Sequence, residues 1–350
     1  MEIWVYDRNL YLQGVIENQT SMLWTRRYFE PGDFEIHAPI TEENIRILAK
    51  GNIVAKHEDG TEAGVIEDII REETDQKSEI TASGRFASSY FDRRLIKATI
   101  NINDTPENAM RTLINYCEAI PLVELGDAAG IAGNKIQFQA TYKNLLTYLE
   151  KIAQSGQIGF RLLPDFANRK LIFQAYQGTD RSLSQSENSR VVFSETYNNL
   201  SQINYHWNDQ LKKTKIYIGG EGEGSARKYV SIGGGEGLDL RELFVDAKDI
   251  SSEGLTTAQY EEALKQRGYE KMRECLESET IQYETGADIN FKYKVNYDLG
   301  DIVTIRKKGW DFQLDQRITE IQEVYEHSVM HILPTLGDPL PETIDWEDDQ

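Results

Sequence analysis

Short runs of alternating apolar and polar residues mark both ends of the chain, and longer stretches with helical spacing lie between them. Phe34-Glu35-Ile36-His37 alternates strictly, which is typical of a strand with one buried face. Pro31-Gly32 and Asp59-Gly60 separate such runs as turns. The first hundred residues therefore predict a barrel or sandwich of short strands, with brief helices near 41–48 and 86–95.

Three longer stretches have apolar residues at helical spacing. Thr105-Pro106-Glu107 begins the first with a hydroxyl N-cap, a proline at the first helical position and an acid in the first turn. Gly156 is the expected stop of the second. Thr256 and Gln259 fit a capping box at the start of the third, and Gly268 is a weak point inside it. The helices are predicted over 105–118, 141–155 and 256–277.

Strand patterns return after each helical stretch. Runs at 157–163 and 170–175 follow the second helix, and the chain reads as β again from 281 to 332. Ile318 and Ile321, three residues apart, break the alternation and predict a bulged or bent strand. The fold class is therefore α+β: a β-rich, multidomain protein with two β-barrel-like domains and α+β insertions.

The same order of patterns predicts how the chain divides. We expect a first β-barrel-like domain from 1–100 plus about 195–235, an α+β insertion over 101–190, a helical connector over 236–280, a second β-barrel-like domain over 281–335 and an acidic C-terminal tail over 336–350. A single continuous sheet shared by the early and late β-blocks would contradict two separate barrels. The last residues, DWEDDQ, are most simply a solvated tail, although Trp346 could anchor them to a partner.

Charge and composition restrict the function. The formal net charge is −20, opposite to the cationic surface that nucleic-acid binding needs, so we expect no sequence-specific nucleic acid binding. The first ten residues lack a secretory signal pattern, and no run approaches 18 apolar residues. We therefore expect no membrane span and synthesis in a cytoplasm. Cys117 and Cys275 form neither a disulfide framework nor a four-ligand zinc site.

A glycine-rich stretch, GGEGEGSAR, has the composition of a phosphate loop without its spacing. Arg227 stands where the dinucleotide fingerprint needs its third glycine, and two glutamates would repel phosphate. A strand-like run at 228–232 follows, whereas phosphate binding uses a helix N-terminus. We therefore predict a flexible β-loop near a subunit contact. Its candidate assembly residues are Gly219, Gly220, Glu221, Gly222, Glu223, Gly224 and Arg227.

The glycines of this loop raise the entropy cost of ordering it. We expect the loop to be poorly ordered in an isolated subunit and to become fixed on assembly. Arg227, at the foot of a strand, is placed to pair with a carboxylate of a neighbour or of its own domain.

Other candidate chemistry is weak, so we expect no catalytic residue, no metal and no cofactor. His327 and His331 are four residues apart, which in a strand spans about 13 Å, too far for one metal ion. The sequence contains no GxSxG, Walker A or HExxH pattern. With 18 Tyr and five Trp, a protein that binds or degrades cell-surface glycan stays open as the alternative to an assembly protein.

Several motifs spread along the chain resemble the tail-hub proteins of long-tailed bacteriophages and prophages. They are GDFEI (Gly32–Ile36), YNNLSQINY (Tyr197–Tyr205), GGEGEGSAR (Gly219–Arg227), GLDLRELFVDA (Gly237–Ala247), YDLGDIVTI (Tyr297–Ile305), RITEI (Arg317–Ile321) and PTLGDPLP (Pro334–Pro341). The resemblance extends from about Ile3 to Pro341, and its motifs are structural.

The resemblance implies a non-enzymatic structural virion protein of siphovirus type. It implies a homotrimer whose six barrel-like domains form a pseudo-sixfold ring between tail tube and spike. The expected location is the baseplate or tail tip, and the expected partners are the tail tube or distal tail protein and the spike or fibre proteins.

Overall fold

The computed structural model describes residues 1–57, 59–74, 77–200, 202–284, 290–310, 312–326 and 329–337. In chain order its strands are β1 (Ile3–Tyr6), β2 (Leu12–Ile16), β3 (Ser21–Arg27), β4 (Asp33–Pro39), β5 (Ile53–Lys56), β6 (Gly64–Val65), β7 (Asp68–Glu73), β8 (Ser78–Arg85), β9 (Ile100–Asp104), β10 (Val123–Leu125), β11 (Ile136–Ala140), β12 (Gly159–Asp165), β13 (Lys170–Tyr176), β14 (Val192–Ser194), β15 (Gln202–Asn208), β16 (Lys215–Gly219), β17 (Tyr229–Gly233), β18 (Glu242–Asp246), β19 (Ser278–Glu284), β20 (Ile302–Lys307), β21 (Phe312–Glu326) and β22 (Val329–Gly337).

The α-helices are α1 (Glu42–Ile47), α2 (Pro106–Tyr116), α3 (Leu145–Gly156) and α4 (Thr257–Glu274). Short 3-10 turns lie at Ala87–Arg93, Glu195–Tyr197, Gly224–Ala226 and Gly237–Asp239.

A ten-stranded sheet runs through the molecule in the order β15-β19-β22-β21-β3-β4-β8-β7, with β20 and β14 branching from β21. β3 pairs antiparallel with β21, from Arg27 opposite Glu320 to Ser21 opposite Glu326. Strands from the first hundred residues and strands from the C-terminal third therefore share one continuous sheet. This contradicts the prediction of two separate β-barrel-like units, and no closed barrel is found among the described residues.

The physical reason is that each β-block leaves an edge that the other can pair. Met22 and Trp24 on β3 and Ile321 on β21 are fully buried, so both strands lie inside the molecule, and pairing them satisfies backbone groups that would otherwise be left unpaired at an edge. The alternation of apolar and polar residues indicates that a strand has one buried face, but it does not indicate which strand pairs with it.

Residues near 195–235 were expected to rejoin the first β-block, but they divide differently. β15 pairs with β19, whereas β16 lies between β17 and β18 in a separate three-stranded sheet. α4 packs on that sheet around Ile216, Ile218 and Leu264, all fully buried. We call β16, β17, β18 and α4 the small unit. It combines part of the predicted first barrel with the predicted helical connector.

Two further groups of strands complete the fold. The N-terminal sheet, ordered β2-β1-β5-β6, shares a core with the ten-stranded sheet around Trp24, Phe34 and Phe86. In the 101–190 region, β10-β13-β12 and the β9/β11 pair lie with α2 and α3 over the largest core. The 101–190 region thus contains both helices and small sheets.

The predicted helices occur close to their expected positions. Pro106 is at the start of α2, and the Thr256–Gln259 capping box of α4 is present with both reciprocal hydrogen bonds. α3 ends one residue later than expected, because Gln157 rather than Gly156 takes the left-handed conformation, with φ of 52°. A side chain at Gly156 would lie 2.5 Å from Pro106, so that glycine allows α2 and α3 to approach each other.

The late β-region follows its sequence pattern in two respects. The pairing of β21 with β22 shifts register between Ile318 and Glu320, which is the predicted bulge. His331 lies in β22, as the strand interpretation required, while His327 lies outside the described residues. The predicted acidic tail began at 336, but Leu336 and Gly337 belong to β22. Residues 338–350, including Trp346, lie outside the described part of the chain.

A buried ionic junction connects the N-terminal sheet to the ten-stranded sheet. Arg26 of β3 is fully buried, and its Nη1 lies 2.6 Å from Asp298 Oδ1. Its Nε is 3.9 Å from Glu62 Oε1. Lys56 Nζ of β5 lies 2.5 Å from Glu323 Oε2 of β21. Since buried charges are costly unless paired, the Lys56–Glu323 pair fixes how the two sheets meet.

Candidate functional site

The glycine-rich stretch connects β16 to β17 in the small unit, and its first two glycines are required by close packing. A side chain on Gly219 would lie 2.7 Å from Arg227 Cζ, and one on Gly220 would lie 2.3 Å from Tyr260 Oη. Each glycine therefore makes room for a larger neighbour: the Arg227 guanidinium lies across Gly219, and α4 approaches the loop at Gly220.

The middle of the loop is shaped by backbone conformation and by one carboxylate. Gly222 and Gly224 have φ of 98° and 52°, which residues with side chains rarely adopt. The Glu221 amide donates to Tyr260 Oη at 2.7 Å, and its carboxylate accepts from the Ser252 amide at 3.0 Å and from Ser252 Oγ. The hydrogen bonds from Ser252 lower the pKa of Glu221. Glu223 is the N-cap of the 3-10 turn at Gly224–Ala226.

Arg227 closes the loop onto its own unit. Its Nη2 lies 2.6 Å from Asp246 Oδ1 of β18 and 2.9 Å from the Gly219 carbonyl oxygen. Its Nε donates to the Gly220 carbonyl oxygen at 3.0 Å. The sequence left open whether Arg227 pairs within its own subunit or with a neighbour. In the structure its carboxylate partner, Asp246, belongs to the same subunit.

The strands of the small unit turn one row of side chains towards α4 and the other away from it. We call the second row, Tyr217, Tyr229 and Phe244 with their polar neighbours, the open face. These rings are 37%, 54% and 52% exposed. Arg227 Cζ lies 5.6 Å from the Tyr229 ring centroid and 5.5 Å from that of Phe244, within cation–π range. The arginine that closes the loop thus also supports an exposed aromatic surface.

Sequence reasoning found the loop but missed the open face. The sequence did contain a signal for the open face, because Ile216 and Ile218 flank Tyr217 in strict alternation. In the structure both isoleucines are fully buried. Strand β18 repeats the pattern at Leu243-Phe244-Val245, and β16 pairs Tyr217 directly with Phe244. The parallel β16–β18 pairing that brings the two rings together joins residues far apart in sequence, so the surface they form was not predicted.

The other candidates add no site to this one. The described residues include no group of three or more His, Cys, Asp or Glu side chains that could hold a metal ion. Cys117 is partly buried against the main core, and burial raises the pKa of its thiol. No helix in the described ranges is both long enough and apolar enough to cross a membrane.

Comparison with known proteins identifies what the chain is similar to. The sequence profile of the Siphovirus ReqiPepy6 Gp37-like protein family matches residues 2–338. No curated protein matches the chain.

Three solved structures share the fold over nearly the whole chain. The tail protein from Neisseria meningitidis MC58 has 14% identity and a TM-score of 0.61, with 96% of each chain covered. Prophage tail protein gp18 from Listeria monocytogenes EGD-e has 15% identity and a TM-score of 0.57, covering 98% of this chain and 96% of its own. The 43 kDa tail protein of prophage MuSo2 from Shewanella oneidensis has 14% identity and a TM-score of 0.55, with 96% and 98% covered.

Proposed function

We infer the function of this chain from its family: it belongs to the Siphovirus ReqiPepy6 Gp37-like proteins, a family of phage tail proteins. We propose that it is a non-enzymatic hub of a phage, prophage or tail-like particle, located at the tail tip. Three copies would form a ring between the tail tube and a spike. The observation that carries the proposal is the match over residues 2–338, because it covers nearly every element of the fold rather than one module.

The layout of the fold leaves the two end strands of the ten-stranded sheet open to a partner chain. Within the described residues, β7 and β15 end the path of the ten-stranded sheet, so each pairs with a strand on one side. β7 carries Asp68, Glu72 and Glu73. Charges on an edge strand discourage unspecific pairing and leave association to a matched partner. The loop at Gly219–Gly224 and the open face, both outside this sheet, would contact other tail proteins.

Electron microscopy of assembled particles tests the proposal. The expected result is threefold density for this chain at the distal end of the tail tube, with three copies per particle. A sixfold ring along the tube, or density confined to a peripheral fibre, would reject the hub.

A second candidate, a glycan-binding tail protein, is favoured by the open face. Tyr217, Tyr229 and Phe244 place three exposed rings on one surface, and sugars stack on such rings. Binding of the chain to purified bacterial wall, compared between the wild type and Tyr229→Ala/Phe244→Ala, separates the two. Binding lost in the double variant would support the glycan candidate. If the wild type and the double variant bind the wall equally, or if neither binds, the open face is a surface for protein contacts and the glycan candidate is rejected.

A further inference from the structure

A second open surface, distant in sequence from the glycine loop, lies at the tip of the β20–β21 hairpin. The turn leaves β20 at Lys307 and enters β21 at Phe312. Beside it is an open groove of about 510 Å³. The groove lining combines three consecutive cations with aromatic and small polar side chains: Ser194, Thr196, Tyr197, Arg306, Lys307, Lys308, Gly309, Phe312 and Gln313. We call it the cationic groove.

The cationic groove is unusual for a chain with a net charge of −20. Arg306 and Lys308 are exposed, while Lys307 pairs with Glu195. Tyr197 and Trp310 are about half exposed beside them, at 49% and 50%, and Lys307 Nζ lies 5.6 Å from the Trp310 ring centroid. Cations next to exposed rings suit a ligand in which carboxylates flank an aromatic side chain.

The chain itself carries such a ligand. Residues 338–350 hold six carboxylates and no Lys or Arg, and four of the carboxylates flank Trp346 within three positions on either side: Asp345, Glu347, Asp348 and Asp349. Their charge is opposite to that of the cationic groove. Trp346 would supply an aromatic ring to a groove that already presents Arg306 and Tyr197.

β22 ends near the part of β21 that leads to the cationic groove. β22 runs antiparallel to β21, from Val329 opposite Glu326 to Leu336 opposite Ile318. β22 therefore ends at Gly337, on the side of this pairing that is nearer to Phe312. Phe312 is six residues beyond Ile318, roughly 20 Å away at strand rise. Trp346 follows Gly337 by nine residues, which span up to about 30 Å when extended. The segment is long enough to reach.

We propose that the acidic segment 342–349 binds the cationic groove of its own chain, with Trp346 next to Arg306 and its carboxylates next to Lys307 and Lys308. The interaction covers an exposed basic surface with residues of opposite charge. This proposal does not depend on the hub assignment, since it concerns a contact within one subunit.

Zero-length carbodiimide coupling of the full-length protein tests this contact, because the reagent joins an amine to a carboxylate only when the two touch. Mass spectrometry is expected to find links from Lys307 or Lys308 to carboxylates within 342–349. Lys308→Glu should lower their yield at least fivefold, and raising salt from about 50 to 500 mM should also lower it. Trp346→Ala disturbs the contact from the other side and should lower the yield without changing the hairpin.

Lys248→Glu is the matched control, because Lys248 is exposed on the small unit and the substitution changes the charge equally. Its link yield should stay within twofold of the wild type. Mixing isotope-labelled and unlabelled protein identifies the donor chain. Mixed-isotope links in place of same-chain links would overturn the proposal by assigning the groove to a second copy. Links from 342–349 spread evenly over Lys248 and other exposed lysines would overturn it as well.

Discussion

At the scale of single residues, Arg227 and the glycines around it act together. Arg227 bonds two loop carbonyls and Asp246, while Gly219 leaves the space in which its guanidinium lies. The sequence predicted Arg227 and the glycines as an assembly loop from composition and resemblance. It could not show that Gly219 and Gly220 serve packing, because the residues they make room for, Arg227 and Tyr260, meet them through tertiary folding.

Replacing Arg227 with alanine should open the loop locally. Losing hydrogen bonds from a charged donor costs about 1–3 kcal/mol, and the small unit has its own core, so the effect should stay within that unit. We therefore expect Arg227→Ala to impair particle assembly more than it lowers the melting temperature of the subunit. Assembly yield and Tm measured in parallel test this, with Arg46→Ala, an exposed arginine of α1, as the control. A large fall in Tm with normal assembly would contradict it.

Before assembly, we expect the loop to be ordered on the N-terminal side of Gly222 and mobile on its C-terminal side. The Gly220 amide donates to the Lys228 carbonyl oxygen and the Glu221 amide to Tyr260 Oη, whereas the position of a side chain on Gly224 is open space. In the isolated subunit, amide exchange should be slow at Gly220 and Glu221 and fast at Gly224, and assembly should slow it at Gly224. Equal protection of Gly224 in subunit and ring would refute the expected ordering on assembly.

The buried carboxyl of Glu62 predicts a pH dependence. Burial raises its pKa to about 7 from an ordinary value of 4.5, against the opposing effects of Arg26 and Arg161. The folded protein therefore keeps a proton on Glu62 that the unfolded chain releases, so its contribution to stability declines as pH rises from about 4.5 to 7. A shift of this size corresponds to about 3 kcal/mol.

Glu62→Gln removes that titration while keeping a similar shape. The Tm advantage of the variant over the wild type should grow by several degrees between pH 5 and pH 8. Glu42→Gln, on the exposed start of α1, is the control. A difference between variant and wild type that does not change with pH would show that Glu62 remains charged in the folded protein.

At the scale of elements, helices were predictable because their signals are local. The stripe and cap of α4 lie within twenty residues, and its capping box formed as expected. The bulge in β21 was equally local. The sequence predicted Gly268 to be a weak point of α4, because glycine has a low helix propensity. That prediction considered the helix without its neighbours. The packed structure assigns it another role, since a side chain there would lie 2.6 Å from Ile218 Cδ1 and 3.0 Å from Ile232 Cδ1.

Gly268→Ala should therefore destabilise the small unit even though alanine favours helix by about 1 kcal/mol. Overpacking a buried contact costs about 1–3 kcal/mol, and Ile218 is fully buried. The expected result is faster amide exchange in β16 and β17. Glu262→Ala, at an exposed position of α4, should leave those strands unchanged. Slower exchange in the Gly268 variant would show that helix propensity outweighs the close contact.

At the scale of the whole molecule, the sequence predicted a β-rich tail-protein fold but placed its early and late β-blocks in separate units. Pairing between β3 and β21 joins residues almost 300 positions apart. The Arg26–Asp298 and Lys56–Glu323 pairs join residues 272 and 267 positions apart. No periodicity specifies such partners. The local pattern of residues predicts that a strand forms. The order of strands in the sheet is determined by long-range pairing of strand edges and of buried charges, which the local pattern does not show.

The charge of the molecule sets the last expectation, which concerns the proposed trimer. Each subunit carries −20, so three subunits repel one another as they approach, and an isolated subunit can remain monomeric until its neighbours are present. Salt shortens the range of that repulsion to about 8 Å at physiological ionic strength. Trimer formation should therefore strengthen as salt is raised, which sedimentation at several concentrations measures. If the trimer dissociates as salt rises, attractive ion pairs across the interface outweigh the net repulsion.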